Sequence, residues 1–234
     1  MNNVDNFIQS FQVIEEYMQR KTKADKFSTF ANMITTCSDF DPVIKKYQQE
    51  LRLFGNLRNA IIHKKVEWSP IAEPNEQAVE FIRDLANKLL RPVKVIPLFN
   101  RNVETCALSD SIARVVTEMY KNDFSQVPVV DNCTCINLLT TNSISRWLSE
   151  NVKNELVDLK ETTVEQVLHF KEKEEAFTFI SRNVTLAEAY THFEKNENRR
   201  AALDAVLITE NGKPHQGLLG MITHYDLPDI VSKI

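Results

Sequence analysis

The stretch Gly220-Met-Ile-Thr-His-Tyr-Asp226 gathers a glycine, a hydroxyl and a carboxylate on one strand-to-helix turn, in a chain with only four glycines. Thr223 and Asp226 there either cap a helix by satisfying its free amides or form half of a nucleotide site. A second cluster is Leu57-Arg-Asn-Ala-Ile-Ile-His63. Asn59 and His63 lie one helical turn apart and face the same way, while Arg58 falls on the apolar seam that continues from Leu51 and Phe54. A guanidinium on such a stripe needs a partner, and an interface between copies can supply one.

The elements that position these residues change in kind near Pro92. Before it the chain reads as helices only. Phe7, Phe11, Ile14 and Met18 form one stripe; Phe27, Phe30, Ile34 and Cys37 form a second. A third helix is expected to start at Pro42 after Asp41, to carry Ile44, Tyr47, Leu51, Phe54 and Ile61, and to run to about His63. A fourth starts near Pro74 and Asn75, carries Val79, Ile82, Leu85, Ala86 and Leu89, and stops at Pro92. Beyond Pro92 the pattern repeats. The helix opened by Ser109/Asp110, the strand Val127–Val130, a turn at Asn132 and the strand through Leu138 and Leu139 answer to a helix opened by Thr185 and Glu188, the strand Ala205–Thr209, the Asn211-Gly212 turn and the strand ending in Thr223. The expected fold class is α+β: a four-helix bundle over residues 1–92, then two repeats over 93–234, at 93–150 and 163–234.

Composition excludes several classes. Hydrophobic residues make up 43% and charged residues 26%, ordinary for a globular protein. Residues 1–91 hold 13 Lys+Arg against 12 Asp+Glu and the remainder 15 against 20, so neither part has the basic excess of a DNA-binding domain. Cys37, Cys106, Cys133 and Cys135 lack zinc or disulfide spacing and read as reduced thiols, the last two on one strand. His169, His192 and His215 have no partner at metal-ligand spacing, so no metal site is expected. His224 reads as an exposed side chain, Trp68 and Trp147 as core or interface aromatics, and the charged run 171–175 as a solvated linker. Without a leader or a long apolar run, the chain reads as cytoplasmic, with no membrane contact.

The tandem β-α-β-β-α pattern, with its Val-Pro-Val-Val-Asp strand and the Gly, two apolar residues, Thr, two residues, Asp strand end, resembles a pair of CBS domains, a Bateman module, over residues 93–234. The resemblance implies an adenosine-containing ligand in a cleft between repeats: AMP, ADP, ATP or S-adenosylmethionine. On that reading Asp226 accepts from the ribose hydroxyls, Thr223 donates to a phosphate, and Gly220 lets backbone and ligand come close. Adenine would lie near Leu98 to Val103 and beside Phe124, Ser125 and Gln126, with Met221 as an apolar wall. Arg199 and Arg200 stand where phosphate ligands are found. The first repeat keeps Thr140 but has Ser143 where the carboxylate belongs, so its cleft is expected to be weak. Bateman modules commonly pair, which implies a homodimer.

The Arg58, Asn59 and His63 arrangement, followed by Lys64 and Lys65, resembles the HEPN domain over residues 3–92. That resemblance implies a metal-independent ribonuclease acting on RNA, in which the histidine moves protons and the arginine stabilises the phosphate. It equally implies a non-enzymatic bundle that dimerises or binds partners, because many HEPN domains do only that. Both resemblances together imply a ligand-sensing regulator whose CBS pair controls the helical domain across the short Arg91-Pro92-Val93 junction.

Overall fold

The computed structural model describes residues 2–23, 28–63, 65–66, 69–152, 157–172, 176–197 and 203–234. Phe27, Lys64, Trp68, Arg199 and Arg200 lie outside the described residues, as does most of the charged run 171–175. The chain divides into two compact units: Met1–Val93 with Thr185–Glu188 and Ile230–Ile234, and Lys94–Val184 with Ala189–Asp229.

The first unit is built on α1 (Asn3–Thr22), whose N-terminus is capped by the Asn2 side chain accepting from the Asp5 amide at 2.8 Å. Its stripe Phe7, Phe11, Ile14 and Met18 is buried, as the spacing requires. α2 (Phe30–Ser38) buries Ile34 and Cys37 against it and is capped by Thr29. The expected third helix is broken in two: α3 (Pro42–Lys46) and α4 (Gln48–His63) are separated by Tyr47, at φ −103° and ψ 19°. Leaving the helical path turns the Tyr47 ring edge-on to Phe81, with centroids 5.7 Å apart. Asp41 caps α3 by accepting from the Val43 and Ile44 amides at 3.0 and 3.1 Å, and it also accepts the Tyr17 hydroxyl at 2.6 Å. Burial and that bond to Asp41 push the Tyr17 phenol pKa up.

A short antiparallel hairpin, β1 (Lys65–Val66) and β2 (Ser69–Pro70), follows, so this unit is not helices only. α5 (Glu76–Leu90), capped by Asn75, lays Val79, Ile82, Leu85, Ala86 and Leu89 against α1. The helical region therefore holds five described helices and a hairpin, where the sequence pattern suggests four helices.

The second unit begins with the short α6 (Val95–Leu98) and then presents one topology twice. In the first repeat a single-residue bridge at Cys106 runs parallel to Val129, followed by α7 (Ile112–Lys121), β3 (Gln126–Asp131), β4 (Thr134–Thr140) and α8 (Thr141–Asn151). β3 and β4 pair antiparallel around a tight turn with Asn132 and Cys133 both at positive φ, so Cys133 sits in the turn rather than on the strand with Cys135. The N-cap position of α7 is Ser111, whose side chain makes no cap hydrogen bond, and the expected Ser109/Asp110 start is not a cap: Asp110 accepts from the Ala107 amide at 2.7 Å and pairs with Arg114.

The second repeat opens with α9 (Val164–Leu168), held by a Thr163–Gln166 capping box. β5 (Ala176–Ser181), α10 (Leu186–Glu197), β6 (Leu203–Thr209), β7 (Gly220–Thr223), a 3-10 turn (His224–Asp226) and α11 (Leu227–Lys233) follow. The sheet order is β5-β6-β7, parallel then antiparallel, as in the first repeat. Thr185 and Glu188 do form the expected capping box, with the Thr185 amide donating to the Glu188 carboxylate at 2.9 Å. The Asn211-Gly212 step is not a two-residue hairpin turn, because residues 210–219 separate β6 from β7. No helix among the described residues is long and apolar enough to cross a membrane.

Candidate functional site

β7 sets the geometry around Asp226. Its antiparallel pairing with β6 opposes Leu207 to Met221 and Ala205 to Thr223, and the period of two sends Gly220 and Ile222 into the core. Met221 and Thr223 take the other face, where they line a cavity of about 340 Å³. Asp226 and Tyr225 from the following turn, Phe124, Ser125 and Gln126 from the start of β3, and Arg101, Asn102 and Val103 complete its lining with Glu104, Asn122 and Asp123. Phe124, Ser125, Gln126, Met221, Thr223 and Asp226, expected from both repeats, are thus brought around one space.

Several of these side chains are engaged in ways the sequence does not display. Asp226 Oδ2 accepts from the Thr223 amide at 2.8 Å and from the Thr223 hydroxyl at 3.2 Å, so the turn is a cap. The Thr223 proton expected for a phosphate is committed to that cap. Asp226 Oδ1 accepts from Arg101 Nη2 at 2.8 Å, and the same nitrogen donates to the Met221 carbonyl at 2.9 Å. Arg101 also lies 5.3 Å from the Phe99 ring centre. Gly220 serves a different purpose from the one expected: a Cβ there would stand 1.9 Å from the Phe99 carbonyl oxygen, so the close approach is between two backbones, not backbone and ligand. Gln126 donates from Nε2 to the Asp204 carbonyl at 2.8 Å and accepts the Ser125 hydroxyl at 2.8 Å, which fixes it as a strut. His224 is exposed and meets Phe193 edge-on at 5.1 Å.

Glu104, Asn122, Asp123 and Tyr225 are lining residues that sequence reasoning missed, and it missed the role of Arg101. Arg101 lies within the segment expected beside adenine, but its partner is 125 positions away, and nothing local signals the pairing. In the first repeat Thr140 and Ser143 are 5% and 0% exposed; Thr140 accepts from the Ser143 amide at 3.0 Å, and the two hydroxyls lie 3.1 Å apart. That is a closed helix cap.

The second cluster is on α4. Arg58 is half-buried while Asn59 and His63 are exposed. Arg58 Nη1 donates to Asn59 Oδ1 at 3.2 Å and lies 3.2 Å from His63 Nε2. A guanidinium only donates, so the contact is a hydrogen bond in the tautomer whose Nε2 carries the lone pair. The guanidinium also stands 6.0 Å from the Phe11 ring centre, which partners it within its own unit. Beside it runs a cleft of about 600 Å³, lined by Phe11, Phe30, Arg52, Asn56, Arg58 and Asn59 among others.

Buried thiols mark the cores. Burial pushes Cys37 up to about 11, Cys106 up to about 12 and Cys135 up to about 11, while Cys133 is exposed. Among the described residues no group of three or more His, Cys, Asp or Glu side chains is placed to hold a metal ion.

The β3–β4 hairpin and its flanking helices lie in the segment that matches a known family. Residues 95–150 match the CBS domain family. No curated protein matches the chain. Among solved structures, the chain is similar to the CBS domain of a CBS domain-containing membrane protein from Sphaerobacter thermophilus, at 14% identity over 68% of this chain and 98% of that one, with a TM-score of 0.48. A CBS domain-containing protein of unknown function from Kribbella flavida is 15% identical over 60% of this chain and 99% of its own, with a TM-score of 0.46. The CBS domain pair of protein MJ0100, in complex with 5′-methylthioadenosine and S-adenosyl-L-methionine, is 13% identical over 60% and 97%, with a TM-score of 0.45. The matched CBS segment supplies Arg101, Phe124, Ser125 and Gln126 to the cavity, and the repeat that follows supplies Met221, Thr223 and Asp226.

Proposed function

We propose that the cavity at Asp226 receives an adenosine-containing ligand, drawn from AMP, ADP, ATP and S-adenosylmethionine, and that the chain is a regulator in which this binding controls the helical unit. CBS domains work in pairs as ligand-sensing regulatory modules. The observation that carries the reading is convergence: Phe124 from one repeat and Met221 and Asp226 from the other line one cavity, an apolar clamp for a planar base beside a carboxylate for a ribose diol. Calorimetric titration of the purified chain with each of the four ligands tests it. The expected result is saturable binding of at least one of them, at one site per chain; no binding by any of the four overturns it.

A second reading, ribonuclease activity in the helical unit, is favoured by one specific observation, the 3.2 Å approach of Arg58 Nη1 to His63 Nε2. On this reading His63 takes the proton of a substrate 2′ hydroxyl, whose oxygen bonds to phosphorus as the bond to the 5′ oxygen breaks. The leaving oxygen takes a proton from solvent, and Arg58 neutralises the crowded phosphate. The product is a 2′,3′-cyclic phosphate. With chelator present, Arg58→Ala and His63→Ala should each abolish cleavage of single-stranded RNA. Cleavage that survives His63→Ala, or that requires magnesium, contradicts this step. A wild-type protein inert toward RNA identifies the helical unit as a scaffold for dimerisation or partner binding.

A further inference from the structure

The ion pair between Arg101 and Asp226 occupies the atom that a ribose diol would need. Asp226 Oδ2 is committed to the Thr223 cap, so Oδ1, now held by Arg101 at 2.8 Å, is the oxygen not engaged by its own turn, and both residues line the cavity. The two partners differ in freedom: the Asp226 side chain is 12% exposed and the Arg101 side chain 52%. The carboxylate is therefore fixed by its own turn, while the guanidinium, tied by one nitrogen to Oδ1 and the Met221 carbonyl, is the group able to swing away.

Displacing Arg101 frees a cation that an incoming ligand must satisfy. The remaining charges on the lining are Glu104 and Asp123, and neither makes an ion pair among the described residues; Glu104 accepts only from the Asn102 amide, at 3.4 Å. One phosphate group, with a charge of about −1.5 to −2 at neutral pH, restores to Arg101 the anionic partner it loses. Further negative charge meets two unneutralised carboxylates.

Resting on the reading of this cavity as an adenosine site, we infer that Arg101 sets the ligand class: a nucleoside monophosphate, which trades its ribose diol for Arg101 on Asp226 and receives Arg101 on its phosphate. An uncharged nucleoside breaks the ion pair and offers nothing to the guanidinium. A triphosphate brings further negative charge against Glu104 and Asp123. No bond is made or broken in this exchange; it is a change of hydrogen-bond partners.

Calorimetry with adenosine, AMP and ATP on the wild type, Arg101→Ala and Arg101→Lys decides it, with thermal melts confirming that the half-exposed position tolerates the change. The wild type should prefer AMP to adenosine by about 10- to 100-fold, the range of a charge-assisted contact. In Arg101→Ala that preference should collapse to within about threefold from both sides, adenosine binding tighter and AMP weaker. Arg101→Lys should retain part of the preference. Equal wild-type affinity for adenosine and AMP, an undiminished preference in Arg101→Ala, or tighter binding of ATP than AMP overturns the inference while leaving an adenosine site standing. Failure of all three ligands to bind both wild type and Arg101→Ala overturns the site itself.

Discussion

The two oxygens of Asp226 serve different masters, Oδ2 its own turn and Oδ1 Arg101, and a similar division separates the four thiols. Cys37, Cys106 and Cys135 are buried with raised pKa values, whereas Cys133 sits exposed on the β3–β4 turn. Thiolate is the reactive form, so Cys133 alone should react within minutes with a disulfide reagent such as Ellman's at pH 8, and the other three only on denaturation. More than one fast thiol in the folded protein would contradict this. The buried thiols also give stability a pH dependence. Their folded pKa values lie above the ordinary thiol value of 9.0, so the stability they support is complete below about pH 9 and is lost as pH rises toward 11 to 12. Denaturant midpoints at pH 8 and pH 10.5 should show the loss. A midpoint that rises with pH would contradict the sign.

At the scale of elements, β7 depends on an approach that only glycine permits. A Cβ at Gly220 would lie 1.9 Å from the Phe99 carbonyl oxygen, a backbone atom with no flexible side chain to yield. Gly220→Ala should therefore destabilise the fold by about 3 kcal/mol or more and weaken ligand binding, measured by chemical denaturation; a loss below about 1 kcal/mol would show that the strands separate easily. The sequence displayed much of this architecture and hid particular parts of it for physical reasons. The stripes Phe7–Met18 and Val79–Leu89 were legible because helix period alone decides which face is buried, and the internal repeat was legible because both halves carry the same strand and cap chemistry. The break at Tyr47 was not, since helix-forming residues flank it and the ring contact that accompanies it is with Phe81, distant in sequence. The β1–β2 hairpin, with two residues in each strand, is too short to show a period. The motif from Gly220 to Asp226 was found, but not what its glycine approaches or that Arg101 holds its acid, because those partners are distant in sequence.

At the scale of the whole molecule, the chain assigns short segments of its second half to the first compact unit. Ile230–Ile234, which begins four residues after Asp226, belongs with the helices, where Lys46 Nζ donates to the Val231 and Ile234 carbonyls at 2.6 and 2.9 Å and the Tyr47 hydroxyl donates to Ile234 at 3.2 Å. α11 is thus a covalent route from the candidate site to the helical unit, alongside the Pro92 junction. If ligand controls the helices through it, the coupling should be on the order of 1 to 3 kcal/mol and should read out as a ligand-dependent change in RNA cleavage or in self-association. A homodimer is expected, with light scattering reporting about twice 27.0 kDa. A monomer at micromolar concentration would remove any site shared between copies. The most direct measurement on the central claim is calorimetric titration of AMP into wild type and Asp226→Asn, a substitution that keeps the shape and the turn acceptor but removes the charge. The expected result is one site per chain in the wild type and an affinity lowered about 10- to 100-fold in the variant, whereas equal affinity in the two proteins would contradict a nucleotide site at Asp226.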